Sequence, residues 1–215
     1  MKVGAKSRFV LWMIGIGLLA GYPAFAGAEY QAGVAKVCIT PEENVWLSGY
    51  AARDKPSEGK LHDLYAKALA VKDGGGNCIV LVTTDLIGLS KEISGRVCSR
   101  VKEKTGLDRS AIMLTSSHTH SGPVLRSNLE TMYDLPKEQW DQLTAYTKKL
   151  EDQLVDIICE AVENMGPASL YRGCGNAGFA VNRRQYTLNG VVIGVNPIGP
   201  VDHDVPVLKV ENEQG

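Results

Sequence analysis

Apolar and polar positions alternate along Gly33–Thr40, GVAKVCIT, a stretch rich in β-branched residues that predicts a strand ended by Pro41. The same alternation returns in Leu64–Asp73, LYAKALAVKD. Gly74-Gly75-Gly76 then marks a tight turn into Asn77–Thr84, NCIVLVTT, so the two runs read as an antiparallel hairpin. The second run is apolar on both faces, which places it centrally with cover on both sides. Between the first strand and this hairpin lies a long loop, 42–60, whose Ser48-Gly49-Tyr50-Ala51 segment is unusually apolar for a surface.

Beyond Asp85 the period changes. Ile93, Val97 and Val101 recur every four residues behind Ser90, a good N-cap, and Gly106 ends this short helix. A second, longer helical pattern starts near Pro136, with Asp134 as the nearby cap. Its stripe runs through Leu143, Tyr146, Leu150, Leu154, Ile157, Ala161 and Met165 until Gly166-Pro167. Ala168–Arg172 predicts a strand, and Gly173–Asn182 is glycine-rich and irregular. Asn189-Gly190 signals a type I′ turn between Arg184–Leu188 and Val191–Gly194. Val205–Glu211, VPVLKVE, is a final strand with no partner strand after it, which suggests the N-terminal piece of a longer protein.

The richest chemistry lies between the two helices, in Ala111–Pro123, AIMLTSSHTHSGP. Its apolar start is too short for a helix and reads as a buried strand. Strand geometry would send His118 and His120 to one side, whereas a helix would set them about 200° apart. With Asn77–Thr84 and the first helix, this strand forms a β-α-β unit, parallel and right-handed. Asp85 and His118 then share the carboxyl edge of the sheet, where open α/β sheets build their sites. Asp85 is a candidate to orient an imidazole or approach a metal, or else is a loop carboxylate at a helix entry. Two converging imidazoles suit zinc, but catalytic zinc takes three protein ligands, so others must come from elsewhere. Among the remaining cations, Arg183 and Arg184 are either solvated or positioned to grip an oxyanion.

Composition narrows the partners. The 215 residues carry a net charge of −1, which gives no basic excess for nucleic-acid binding. Lys2, Lys6 and Arg8, the apolar run Phe9–Leu19 and Ala24-Phe25-Ala26 form a secretory signal pattern cleaved near Ala26 or Ala28. The mature chain is therefore expected in a periplasm or outside the cell. Of five cysteines none forms a CxxC pair, and Cys38, Cys78, Cys98 and Cys159 sit on apolar runs, so buried free thiols are expected.

Taken together, several motifs carry a resemblance. They are Gly33–Val37 with Ile39-Thr40-Pro41; Ser48–Ala51; Leu64–Ala68; Thr84–Gly88; Ser117–Pro123; Asn182-Arg183; and Asp202–Leu208. The chain resembles the N-terminal catalytic domain of the neutral/alkaline non-lysosomal ceramidases from Gly33 to its end. The resemblance implies an α/β fold, a mixed β-sheet covered by helices, with residues 1–26 a signal peptide and 30–215 an incomplete catalytic domain. It implies a Zn²⁺-dependent amidase that cleaves the N-acyl bond of ceramide to a sphingoid base and a fatty acid. On that footing His118 is a zinc ligand, His120 contacts water, substrate or the transition-state oxygen, and Arg183 serves activity. The partner would be ceramide or another N-acyl lipid, met at a membrane surface.

Departures from the family pattern qualify these expectations. The family's second zinc histidine, its glutamate and its tyrosine ligand have no counterpart in this chain, so the 215-residue product is expected to be inactive alone. Arg184 stands where better-studied relatives carry Ser-Pro, which widens the substrate class to other N-acyl lipids or amides. A non-catalytic remnant or binding module is the competing expectation. A metallo-β-lactamase-like enzyme is disfavoured, because Ser121-Gly122 stands where an Asp-His pair is wanted.

Overall fold

The computed structural model describes residues 30–212. The signal pattern therefore lies outside the described residues. The strands are β1 (Tyr30–Cys38), β2 (Tyr65–Lys72), β3 (Cys78–Thr84), β4 (Ile112–Ser116), β5 (Gly166–Asn176), β6 (Asn182–Thr187), β7 (Gly190–Asn196) and β8 (Asp204–Glu211). The helices are α1 (Lys91–Thr105) and α2 (Lys137–Glu163). Strands order as β4-β3-β2-β1-β5-β8 in one mixed sheet, and β6-β7 forms a separate ribbon. β3 and β4 are parallel, the expected result of a crossover through α1, and β2-β3 is the expected antiparallel hairpin.

One face of the sheet is built for close approach. Ala35, Ala66, Ala68 and Ala70 are buried there beside Val80 and Val82. α2 lies on β1 and β2 and packs against α1. A Cβ on Gly33 would come within 2.1 Å of the Ala161 carbonyl oxygen, so only glycine admits the helix here. Leu150, Leu154 and Ile158 of α2 and Ile93, Val97 and Val101 of α1 are fully buried against this face. Each such side chain contributes about 1.5–3 kcal/mol by leaving water.

The other face is open among the described residues, contrary to the cover expected on both sides of β3. Ile79 is 59% exposed and Met113 63%. Register explains why. Leu81 pairs with Leu69 and Met113, one step out of phase with buried Val80 and Val82, and both helices lie on the Val80 side.

Smaller expectations are corrected too. Pro136 occupies the cap position itself, with no side-chain cap, so Asp134 does not cap α2. β5 begins at Gly166 and runs through Cys174 and Gly175, where the glycine-rich sequence predicts irregular chain. The β6-β7 turn is Leu188-Asn189, with Thr187 paired to Gly190. The positive φ, 114°, falls on Gly190 alone of these, so this is not the type I′ turn on Asn189-Gly190. Cys98 and Cys159 are buried free thiols as expected, but Cys38 is exposed on the open face and Cys78 is half-buried.

A second cluster, Val45, Val124 and Leu143 with Trp46, Leu47, Tyr133, Leu135 and Trp140, pins two loops to the start of α2. The loop 117–135 carries both histidines, and the loop 45–53 is bonded to it.

Candidate functional site

β3 and β4 end side by side at Thr84 and Ser116. Their ladder continues a little further, because Ser117 N donates to Thr84 O (3.0 Å) and Thr119 N to Leu86 O (3.0 Å). Between those two bonds His118 takes φ +56°, a left-handed conformation that costs a non-glycine residue roughly 1 kcal/mol. The regular strand stops at Ser116, so strand alternation does not bring the histidines together. They meet all the same, with ring centroids 4.7 Å apart and planes at 72°. A left-handed residue followed by a turn does what the strand period was expected to do. Backbone strain of this kind collects where a side chain must be aimed.

The aim is visible. His118 Nδ1 lies 2.9 Å from the Ile87 carbonyl oxygen. A carbonyl only accepts, so Nδ1 carries the proton in this bond, and in the neutral imidazole the lone pair is then on Nε2. That is the tautomer of a metal-ligating histidine, whose second nitrogen is held by a backbone carbonyl. His118 is exposed and His120 half-buried.

His120 is held by the loop that the sequence marked as oddly apolar. Ser48 is fully buried, and both its N–H (2.8 Å) and its Oγ (3.0 Å) donate to the Gly122 carbonyl. Leu47 bridges Pro123, and Val124 N donates to Trp46 O (2.9 Å). The Tyr50 ring stands edge-on to His120 at 5.2 Å, and Arg53 Nη2 donates to the His120 carbonyl at 3.4 Å.

Of the other candidates, Asp85 takes its loop role. Its Oδ2 accepts from Tyr65 N (2.8 Å), and its own N–H donates to Tyr65 O (3.0 Å), fastening β2 to the end of β3. Arg183 lies on the exposed β6-β7 ribbon, where its Nε donates to the Gly194 carbonyl across the turn (2.6 Å). The structure thus brings His118 and His120 together and holds the Arg183 Nε within its own hairpin. Reading the sequence missed Ile87, which acts through a backbone carbonyl and leaves no residue-type signal. It noticed the Ser48–Ala51 segment without assigning it; Gly49 inside that apolar run was the available clue.

Among the described residues, no group of three or more His, Cys, Asp or Glu side chains is placed to hold a metal. The fit to zinc is therefore partial: one correctly oriented imidazole, a second beside it, and the remaining ligands absent from this set.

Fold and imidazole pair together define an α/β protein with a histidine site at the carboxyl edge of its parallel strands. The N-terminal region of the neutral/alkaline non-lysosomal ceramidases matches residues 30–214, and the chain belongs to that family. It is 29% identical over 181 residues to the neutral ceramidase of Pseudomonas aeruginosa, covering 80% of this chain and 26% of that protein. It is 26% identical over 203 residues to neutral ceramidase A of Dictyostelium discoideum, covering 87% and 27%. The crystal structure of the Pseudomonas aeruginosa enzyme superimposes with a TM-score of 0.65 at 22% identity, over 88% of this chain and 30% of that one. A ceramidase complexed with C2 gives a TM-score of 0.67 at 24% identity. The chain therefore spans about a quarter of the length of these curated relatives.

Proposed function

We propose that this chain is the histidine-bearing part of an exported zinc amidase that hydrolyses the N-acyl bond of ceramide or a related N-acyl lipid. The observation that carries the reading is the 2.9 Å bond from His118 Nδ1 to Ile87 O, which presents Nε2 as a ligand beside His120. His118 would hold the metal, with further ligands supplied from outside the described residues. Zinc, when bound, acidifies water and polarises an amide carbonyl. His120 would donate a hydrogen bond to the oxygen that gains charge as the amide is attacked. Arg183 would add a second donor if its ribbon folds over the site, which first requires the Gly194 bond to be exchanged. On this reading the substrate would be met at a lipid surface, and the N-terminal signal pattern supports export to a periplasm or the outside of the cell.

The test is zinc quantification with N-acylsphingosine hydrolysis, on this chain and on a version extended to the length of the relatives. The extended protein should bind zinc and release fatty acid, His118→Ala should lose both, and the 215-residue chain should do neither efficiently. Retained zinc and turnover in His118→Ala would remove the ligand assignment. An extended form with no activity at all would favour a non-catalytic remnant or binding module.

A further inference from the structure

We propose that Gly49 and Tyr50 are positioning residues for His120, a role that rests on the reading of the histidine pair given above. Gly49 has φ +105°, a conformation that strains any residue with a side chain. It also touches His120 directly. A Cβ there would stand 2.6 Å from Cα, Cβ and Cγ of His120, and none of the three is the yielding end of a flexible side chain. The missing methyl group is what lets the loop lie flush against the imidazole's base.

The loop itself does not give way. Ser48, one residue before Gly49, is locked twice to Gly122, two residues after His120. The two segments thus form a short clamp with Gly49 and His120 at its closed end. Tyr50 then supplies a wall. Its ring meets the imidazole edge-on at 5.2 Å and 72°, and the His118 ring also meets it, at 4.7 Å and 72°. Arg53 ties the backbone of the same segment by donating to the His120 carbonyl, and its guanidinium lies 5.8 Å from the Tyr50 ring.

A stabilising role alone does not account for Tyr50. The residue is 60% exposed and so removes little apolar surface from water. What it does is restrict the rotamers open to His120. A reacting group must be held to within a fraction of an ångström, and a displacement of about 1 Å costs on the order of 100-fold in rate.

The experiment follows the geometry of the pair itself. In the isolated chain, the nuclear Overhauser effect between the ring protons of His118 and His120 is measured alongside the thermal midpoint. The wild type and Tyr50→Phe should show the inter-ring effect. Tyr50→Ala should lose it without a fall in midpoint, and Gly49→Ala should lose it as well. An inter-ring effect of wild-type strength in Tyr50→Ala would overturn the proposal. Should Gly49→Ala fail to fold, the Tyr50 pair of variants decides alone. The hydrolase reading fails separately: a chain whose rings part in Tyr50→Ala, but whose extended form takes no zinc, refutes that reading and leaves the positioning role standing.

Discussion

The Nδ1 of His118 and the carbonyl oxygen of Ile87, 31 residues apart in sequence, lie 2.9 Å from one another across the ends of two parallel strands. The left-handed backbone of His118 is what makes the contact, so conformation and hydrogen bond are two halves of one arrangement.

Two substitutions separate its halves. Asparagine tolerates φ above zero, and its amide nitrogen falls near the position of Nδ1. His118→Asn should therefore keep the Ile87 bond and unfold within about 0.5 kcal/mol of the wild type, yet bind no zinc in the extended protein. Glutamine reaches as far as Nε2 but does not place a donor at Ile87. His118→Gln should be less stable than His118→Asn by about 1 kcal/mol. Denaturant titration reads the order of stabilities, and the reverse order would mean that the Ile87 bond does not hold the loop.

The hydroxyl that caps α1 also reaches the loop behind the histidines. Ser90 Oγ accepts from Ile93 N at 3.2 Å and lies 3.1 Å from Ser127 Oγ. Ser90→Ala should cost about 1 kcal/mol, the usual loss for an N-cap, and Ser90→Asp should restore most of it. The midpoint of urea unfolding with unchanged slope is the measurement. A neutral alanine variant would show that tertiary packing of Ile93 and Val97 sets the start of the helix.

Much of the fold was legible because burial follows period. The four-residue recurrence of Ile93, Val97 and Val101 and the Ser90 cap describe α1 as it stands. The β2-β3 hairpin and the parallel β3-β4 pair follow from alternation and a crossover length. The open face of β3 was not legible, since apolar residues on both sides of a strand say nothing of what covers them. At the site, the residue types were readable but the mechanism of their convergence was not. His118 turns on a left-handed φ and a backbone carbonyl, and neither leaves a mark in composition or spacing.

The thiols give a pH-dependent readout. Burial pushes Cys98, Cys159 and, on half-buried ground, Cys78 above the ordinary thiol range. Cys38 and Cys174 are exposed. Alkylation of the native chain near pH 8 should mark Cys38 and Cys174 first and leave Cys98 and Cys159 unmodified until unfolding. The same shifts carry a stability consequence. Folded thiols with raised pKa values hold protons that the unfolded chain releases, so their contribution is complete below about pH 8.5 and is lost as pH rises beyond it. The denaturation midpoint should fall through that alkaline window, and replacing Cys98 and Cys159 by alanine or valine should flatten the fall.

Of the ion pairs that join α1 to α2, Arg96–Glu151 should respond asymmetrically to the removal of its two ends. Arg96 reaches Glu151 with Nε (3.0 and 3.1 Å) and Nη2 (2.6 Å), a two-point fork, and Glu151 holds the guanidinium above its ordinary range. The Glu151 side chain is 9% exposed and that of Arg96 50%. Arg96→Ala strands a buried carboxylate, whereas Glu151→Ala leaves an arginine that water solvates. The first should cost about 2 kcal/mol and the second about 1, both discounted for the exposed guanidinium. Arg96→Lys should recover only part of the loss, because an ammonium is a point charge without the fork. Urea titrations of the three variants test the order. Equal losses for Arg96→Ala and Glu151→Ala would mean that the pair acts through packing of its alkyl chains, with the charge at Glu151 contributing nothing.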